Sequence, residues 1–403
     1  MSTNRILTMV GSAVVLVAIG STYEALAGIH AGGAPVTSKG TVSQFGSIYV
    51  NGVRYDTDQA VFIIDGEFGY ESDLQVGQVV TVFGSIDDGG TTGIADLVIY
   101  EDAVEGPVTG IDPLLNQFTV LGQTVIVSDD TSYSLREGVD SLSDLRDDDI
   151  VEVSGHVNAD GVVVATHIGS AAVDDVFDVT GTVVSVSNDS YRLTIGGLEV
   201  DFSAANVYGL PGGIPDVGQQ IEVTGSYASG EFVAATISNA PQSISAFAGD
   251  EVEIQGLVTN YVSPWNFEVD GVPVSIGWGT QFEGGWLFHI GPNAKLEVEG
   301  YFASDGRLIA DTVEFERTGS NRIEGQVESV FGDRVVVGGV AIRVGTETEY
   351  EDSSDADEHR FGIDDLRTGD YIRVRSYNDD GDTIATRLER RDSSDDDADD
   401  SDD

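Results

Sequence analysis

The chain has 403 residues and a formal net charge of −51, from 19 basic and 70 acidic side chains. A surface this acidic repels polyanions, so we expect no nucleic-acid binding. The absence of cysteine excludes disulfides, thiol nucleophiles and Cys-based zinc sites. The acidity fits either a saline habitat or surroundings rich in divalent cations, and the sequence leaves both open.

The N-terminus has the pattern of an export signal. Arg5 precedes an apolar stretch over residues 6–20, which is shorter than the ~20 residues that a membrane span needs. Residues 25–27, ALA, form a small-x-small cleavage site. We therefore predict a signal peptide over 1–27 and a linker over 28–37. The mature protein would be periplasmic or extracellular, with no transmembrane span; the alternative is an uncleaved membrane anchor.

One hairpin recurs along the chain, most clearly as IVEVSGHVNADGVVVATHI over residues 150–168. Its strands alternate apolar and polar residues, and Asp160-Gly161 marks a tight turn. A V-x-V-x-G motif ends the first strand in four copies, and Ser376 replaces the glycine in the fifth. The second strand carries A-x-x-[VIL]. The paired marks are Gly84, Gly155, Gly225, Gly300 and Ser376, followed by Ala95, Ala165, Ala234, Ala310 and Ala385. Five registered copies establish an internal repeat.

The repeats open at Gly40, Gly106, Gly181, Gly256 and Gly325. Their predicted bounds are 38–102, 103–170, 173–239, 248–317 and 320–390, followed by an acidic disordered tail over 391–403. Each repeat has three strands, a short helical turn and two strands. This order predicts an all-β fold of five tandem small OB-like β-barrel domains, each with five strands and a short helical turn before strand four. A two-sheet sandwich is the alternative, but it needs more strands per repeat. Five barrels in a row would make a rod on the order of 100–150 Å long.

The repeats resemble a bacterial family of unknown function, domain-of-unknown-function family 5666. The resemblance rests on G-x-V at the opening glycines, the first-hairpin glycines, the L-x-x-G-D/Q stretch and V-x-V-x-G with its A-x-x-I partner. It covers almost the whole mature chain and implies exported tandem barrels with no assigned chemistry. Two positions depart from the pattern: Ser376, and Asp148, which replaces a glycine at the end of the helical turn in repeat 2.

Candidate chemistry is sparse. His156 and His167 lie on the two strands of the central hairpin, where we expect them on its outer polar face; two metal ligands are the alternative. The acidic clusters at residues 144–149, 351–358 and 392–403 lack the spacing of an EF-hand, so divalent cations would bind weakly and diffusely. We expect no catalytic residue, no metal centre, no cofactor and no enzymatic activity.

Repeat 4 differs from the other repeats because it contains all three tryptophans, Trp265, Trp278 and Trp286. Two of them lie in the glycine-rich stretch SIGWGTQFEGGWLFHIG. Exposed aromatic rings could form a platform for a polysaccharide or another partner. The alternative is a core plug specific to this repeat. We name the three tryptophans as candidate ligand-binding residues.

Repeat 5 is rich in arginine: ten of the 17 arginines lie between residues 322 and 391. Arg373 and Arg375 alternate with apolar residues, and Arg387 lies on the partner strand, so we expect an arginine-rich outer face. The acidic tail, or an acidic repeat of another molecule, would dock there and allow self-association through repeat 5; scattered charge balancing is the alternative.

These features favour an exported, non-enzymatic repeat protein that acts as a structural or binding scaffold at the cell envelope or in the extracellular matrix, where an envelope protein could be its partner. The alternative is a protein dedicated to binding oligosaccharide through repeat 4 or cations through its acidic surface.

Overall fold

The computed structural model of the protein describes residues 34–136, 139–171, 176–228, 230–239, 248–379 and 381–392. The predicted signal peptide, most of the 28–37 linker and the tail from residue 393 onward lie outside the described residues. The regular elements within these ranges are β-strands and single 3₁₀ turns. The chain is all-β and built of small barrel-like sheets, which confirms the predicted fold class.

Repeat 1 shows the arrangement from which the others vary. Its elements are β1 (Ala34–Gln44), β2 (Ile48–Val50), β3 (Val53–Asp56), β4 (Val61–Ile64), β5 (Glu67–Gly69), a 3₁₀ turn (Glu71–Asp73), β6 (Val79–Ile86) and β7 (Thr92–Tyr100). β1 pairs antiparallel with β2 and β6, and β3 pairs parallel to β7, which closes the barrel. The short strands β4 and β5 are additions to the predicted five.

Repeats 2 and 3 keep this order, with one short extra strand each before the 3₁₀ turn. In repeat 2 the elements are β8 (Val104–Asp112), β9 (Gln117–Val120), β10 (Gln123–Ile126), β11 (Ser132–Ser134), a 3₁₀ turn (Leu142–Asp144), β12 (Ile150–Val157) and β13 (Val163–Ser170). In repeat 3 they are β14 (Phe177–Ser187), β15 (Arg192–Ile195), β16 (Leu198–Asp201), β17 (Asn206–Val207), a 3₁₀ turn (Pro211–Gly213), β18 (Gln220–Ala228) and β19 (Glu231–Asn239).

Repeat 4 has the predicted five strands, and repeat 5 again adds a short one. The elements of repeat 4 are β20 (Glu251–Ser263), β21 (Asn266–Val269), β22 (Val272–Glu283), a 3₁₀ turn (Leu287–His289), β23 (Lys295–Phe302) and β24 (Leu308–Phe315). Those of repeat 5 are β25 (Asn321–Phe331), β26 (Arg334–Val337), β27 (Val340–Arg343), β28 (Glu349–Ser353), a 3₁₀ turn (Ile363–Asp365), β29 (Tyr371–Asp379) and β30 (Asp382–Arg391).

The glycine of V-x-V-x-G in repeats 1–4, and Ser376 in repeat 5, lie at a β-bulge in the last hairpin of the repeat, opposite the alanine of A-x-x-[VIL]. The pairs are Gly84–Ala95, Gly155–Ala165, Gly225–Ala234, Gly300–Ala310 and Ser376–Ala385. A Cβ on Gly300 would lie 2.0 Å from the carbonyl oxygen of Ile309. In the first four repeats the glycine is therefore sterically favoured at the bulge, because a Cβ there would lie within 2.3 Å of a carbonyl oxygen of the partner strand.

The two departures from the repeat pattern have different structural settings. Asp148 has φ +69°, and the corresponding position in repeat 4 is Asn293 at +65°. Asp and Asn tolerate this left-handed conformation better than most residues do, so the replacement of glycine is tolerated. Ser376 keeps the bulge of repeat 5 and is fully buried; nothing in the structure explains why serine replaces glycine there.

The barrels are joined through their first strands rather than end to end. β1 of repeat 1 pairs parallel to β20 of repeat 4, and β8 of repeat 2 pairs antiparallel to β14 of repeat 3. Repeats 2 and 3 also share one continuous hydrophobic core. Repeats distant in sequence are thus neighbours in space.

Repeat 5 packs back onto the start of the chain. His359 stacks on Phe45 of repeat 1, with ring centroids 4.1 Å apart. Its ring nitrogen donates a hydrogen bond to the carbonyl oxygen of Leu74, at 2.9 Å. Arg375 pairs with Asp129 of repeat 2, at 2.9 Å. The expected rod of five barrels in a row is therefore wrong, because repeat 5 contacts repeats 1 and 2. Alternation along a strand identifies an outward face, but it does not show which repeat covers that face.

Candidate functional site

An exposed pair of tryptophans lies on one side of repeat 4. Trp265 occupies the turn between β20 and β21, and Trp278 lies within β22. Their ring centroids are 6.4 Å apart and the ring planes are inclined by 44°, a separation typical of interacting aromatic rings. Trp265 is 47% exposed and Trp278 is fully exposed. We call these two residues the tryptophan pair.

Hydrogen bonds from Arg307 hold the hairpin of β21 and β22, which begins directly after Trp265. The guanidinium of Arg307 donates to Ser275 Oγ at 2.7 Å, to Asn266 Oδ1 at 2.5 Å and to the carbonyl oxygen of Val274 at 3.0 Å. Asn266 follows Trp265 directly and pairs with Ser275 across the hairpin. The half-buried Arg307 thus joins β21 and β22.

A four-residue bulge presents Trp278 to solvent. β22 pairs with β24 through Ile276 and again from Gln281, and residues 277–280 leave the ladder between them. Thr280 Oγ1 fixes the bulge: it donates to the carbonyl oxygen of Ala310 at 2.7 Å and accepts from the Gly277 amide at 2.9 Å. A bulge of this kind re-aims a side chain out of the sheet.

Trp286 lies apart from the pair. It precedes the 3₁₀ turn of repeat 4, is 73% exposed and is followed closely by the exposed Phe288. Gly285 precedes it because the ring of Phe315 lies underneath: a Cβ on Gly285 would be 2.4 Å from that ring. Among the described residues no ring contact joins Trp286 to the pair.

The structure therefore places all three predicted site residues at the surface and brings two of them together. The core-plug alternative is wrong, because the three tryptophan side chains are exposed to solvent and do not enter the barrel core. The core of repeat 4 is filled by aliphatic residues and Phe267. Whether the three residues bind a ligand stays a prediction.

The two histidines of the central hairpin are buried, which contradicts the expectation of an outer polar face. His167 lies between the hydroxyls of Ser132 and Ser134, at 2.7 and 2.8 Å, and burial lowers the pKa of its imidazole to about 3. His156 lies 3.7 Å from the carboxylate of Asp270 in repeat 4. Both rings are covered by contacts that residue alternation cannot reveal.

The arginine-rich face of repeat 5 is covered as well. Arg375 pairs with Asp129, and Arg387 donates to the carbonyl oxygen of Asp130 at 3.2 Å and pairs with Glu351 of its own repeat. The acidic partner at this face is repeat 2 of the same chain, so the expectation of a free face for the tail or for another molecule is wrong. The role of the tail, from residue 393 onward, lies outside the described residues.

Sequence reasoning missed the carboxylates at the contacts between repeats. Glu152 of repeat 2 accepts hydrogen bonds from Gln78 Nε2, at 3.3 Å, and from the Tyr100 hydroxyl of repeat 1; burial raises the pKa of its carboxyl group. Glu253 of repeat 4 accepts from Ser38 of repeat 1 at 2.7 Å, and burial raises its pKa to about 7. The alternating pattern VEV, with Glu152 at its centre, had indicated a solvent-facing side chain.

Within the described ranges, no three His, Asp or Glu side chains are grouped so that they could hold a metal ion. Nor does that part of the chain contain a helix that is long and apolar enough to cross a membrane.

The fold and the bulge motif together define a tandem-repeat protein of small all-β barrels. Five stretches match the family described as Domain of unknown function (DUF5666): residues 35–95, 105–169, 180–238, 255–314 and 324–389. They cover most of the chain, which therefore belongs to this family, as the sequence motifs indicated. A comparison with curated proteins finds no match.

Proposed function

We propose that the protein is an exported, non-enzymatic binding scaffold whose ligand surface is the tryptophan pair of repeat 4. The observation that carries the proposal is the exposure of Trp265 and Trp278 on a hairpin and a bulge that hydrogen bonds hold in place. Exposed tryptophans are unfavourable for solubility and are enriched in binding surfaces. Export is supported by the apolar segment at residues 6–20 and the ALA site that follows it.

The proposed ligand is a neutral oligosaccharide. Flat aromatic rings stack on the apolar faces of sugar rings while hydroxyl groups stay hydrated. The net charge of −51 repels acidic polysaccharides and nucleic acids.

A glycan array with tryptophan variants tests the proposal. Trp278→Ala should abolish binding, and Trp265→Ala should weaken it strongly, because each removes one ring of the pair. Trp286→Ala should have a smaller effect, since this ring lies apart. Phe68→Ala removes another largely exposed aromatic ring, from repeat 1, and serves as the matched control. Binding that survives in Trp278→Ala would contradict the proposal.

Weak, diffuse cation binding through the acidic surface is a second proposal, supported by the net charge of −51. Divalent cations near such a surface would reduce the repulsion between its carboxylates. Millimolar Ca²⁺ should then raise the melting temperature more than an equal ionic strength of NaCl does. Equal effects of the two salts would reduce the interaction to charge screening.

A further inference from the structure

The first strand of each repeat has an edge that four of the five repeats use to join another repeat. β1 joins β20 and β8 joins β14 along the N-terminal halves of these strands. β25 is the corresponding strand of repeat 5. It pairs with β29 through residues 321–326 and with β26 through residues 327–331. Within the described ranges, no strand pairs with the other edge of residues 321–326, so this edge of β25 is left without a partner.

The pairing of repeats 2 and 3 gives a template for that edge. Val104 faces Val179, and each lies two residues before the opening glycine of its repeat, Gly106 or Gly181. Equivalent positions thus face each other in antiparallel strands, which is the arrangement of a local two-fold axis. The corresponding residue of repeat 5 is Ile323, two residues before Gly325.

Exposure distinguishes this position in repeat 5 from the others. Val104, Val179 and Ile254 are completely buried at the joined edges. Ile323 packs against the core of repeat 5 but is only half-buried. An apolar residue remains partly uncovered at a first-strand edge that has no partner among the described residues, and such an unpaired edge is a template for strand addition.

The residues on either side of Ile323 are complementary in charge. Arg322 is exposed and pairs within the strand with Glu324, its Nε lying 2.9 Å from Glu324 Oε2. In an antiparallel pair centred on Ile323, Arg322 of one strand would face Glu324 of the other, and the reverse. Opposite charges that face each other across strands stabilise the pair. The edge is therefore self-complementary.

We propose that the protein forms a two-fold homodimer by antiparallel pairing of β25 with β25 of a second copy, centred on Ile323. The dimer repeats between molecules the contact that joins repeats 2 and 3 within one. It uses the strand edge, and not the arginine-rich face that repeat 2 covers, and it is independent of the ligand proposed for repeat 4. A short strand pair buries less area than a permanent interface, so we expect a weak dimer that dissociates on dilution.

Charge exchange tests the register by analytical ultracentrifugation of the purified protein at low salt. Arg322→Glu and Glu324→Arg each place like charges opposite one another, and each should weaken dimerisation by roughly tenfold or more. An equimolar mixture of the two variants should associate again, because each contact across that heterodimer joins opposite charges. Two outcomes would overturn the proposal: a wild-type protein that stays monomeric at all concentrations, or single variants that associate as the wild type does.

A cysteine variant provides a second test, which the absence of native cysteine makes clean. Ile323→Cys places two thiols directly opposite each other across the two-fold axis, so mild oxidation should convert the protein to a disulfide-linked dimer. Leu114→Cys, at an exposed turn of repeat 2, is the control for random collision and should crosslink far more slowly. Equal crosslinking rates, or a folded Ile323→Cys variant that does not crosslink, would reject the register. Dimerisation that appears only after deletion of residues 393–403 would mean that the tail covers this edge, and would also reject the proposal.

Discussion

Repeats 1 and 4 share one fold and join through their first strands, but they use the turn between the first and second strands in opposite ways. In repeat 1 the turn carries Phe45, which is 4% exposed and stacks on His359 of repeat 5. In repeat 4 the turn carries Trp265, which faces solvent beside Trp278. The same place in the barrel serves assembly in one copy and is open in the other. The role of an aromatic residue at this turn therefore depends on whether another repeat packs against it.

The largest expected effect on stability comes from truncating Phe45, the buried aromatic residue at this turn. Phe45→Ala should destabilise the protein by roughly 3 kcal/mol, because it leaves a cavity in repeat 1 and removes the stack on His359. Trp265→Ala should change stability by only about 0.5 kcal/mol or less, as is usual for exposed positions. Urea unfolding measures both. Phe331→Ala, at the exposed end of the first strand of repeat 5, is the control; equal losses for Phe45→Ala and Phe331→Ala would refute the distinction.

Substitutions at two glycines of repeat 4 distinguish a position that the barrel fold requires from a position that only presents Trp278. Gly300→Ala places a Cβ against the carbonyl oxygen of Ile309 and should cost about 1–3 kcal/mol. Gly279→Ala lies in the bulge beside Trp278, where no atom comes within 4 Å of the new Cβ, and should leave stability almost unchanged. Thermal melts of the two variants measure the difference. A destabilised Gly279→Ala variant would show that the bulge is part of the fold and not an addition to it.

Buried glutamate carboxyl groups give a smaller effect, which is a dependence of stability on pH. The pKa values of Glu101, Glu222 and Glu253 are raised to about 8, 7 and 7, chiefly by burial. A raised pKa means that the folded protein holds more protons than the unfolded chain, so stability is greatest below about pH 4.5 for these groups and falls as pH rises toward 8. Melting temperatures at fixed salt should therefore decrease from pH 6 to pH 9.

Glu253→Gln checks the origin of that slope. An amide keeps an oxygen that can accept the hydrogen bond from Ser38, and it carries no charge to bury. The variant should therefore lose less stability than the wild type as pH rises from 6 to 9. Parallel curves for the two proteins would exclude Glu253 as a contributor.

The smallest expected signal is in nucleic-acid binding. Single-stranded nucleic acid needs stacking aromatics together with a positively charged groove. Repeat 4 offers the aromatics, but it lies in a protein of net charge −51. A gel shift at low salt, where electrostatic binding is strongest, should show no complex with DNA or RNA. Micromolar affinity there would mean that local aromatic rings outweigh the overall charge.

The sequence was informative wherever the structure depends on local geometry. The motif glycines lie at the bulges, and Gly161 of the predicted Asp160-Gly161 turn has a positive φ of 77°. Alternation also marked correctly the buried residues Val151, Val153, Ile372 and Val374. These features depend on neighbours in the chain or on the next strand, so a repeated pattern reveals them.

What the sequence could not reveal was the covering of the outer faces. His156, Glu152 and Arg387 all lie on strands where alternation indicates solvent, and each is covered by another repeat. These contacts join residues between 52 and 257 positions apart along the chain, and nothing local encodes them. Conversely, the exposure of Trp278 depends on a four-residue bulge in β22 that was not predicted from the sequence.

Tryptophan fluorescence tests the central claim most directly, because all three tryptophans of the chain lie in repeat 4. The emission of the free protein should be that of solvent-exposed indole. Titration with a panel of neutral oligosaccharides should shift the emission to shorter wavelength for at least one of them, saturably, and Trp278→Ala should remove that shift while Phe68→Ala preserves it. An emission spectrum that no oligosaccharide changes, or a shift that persists in Trp278→Ala, would contradict the assignment of the tryptophan pair as the ligand surface.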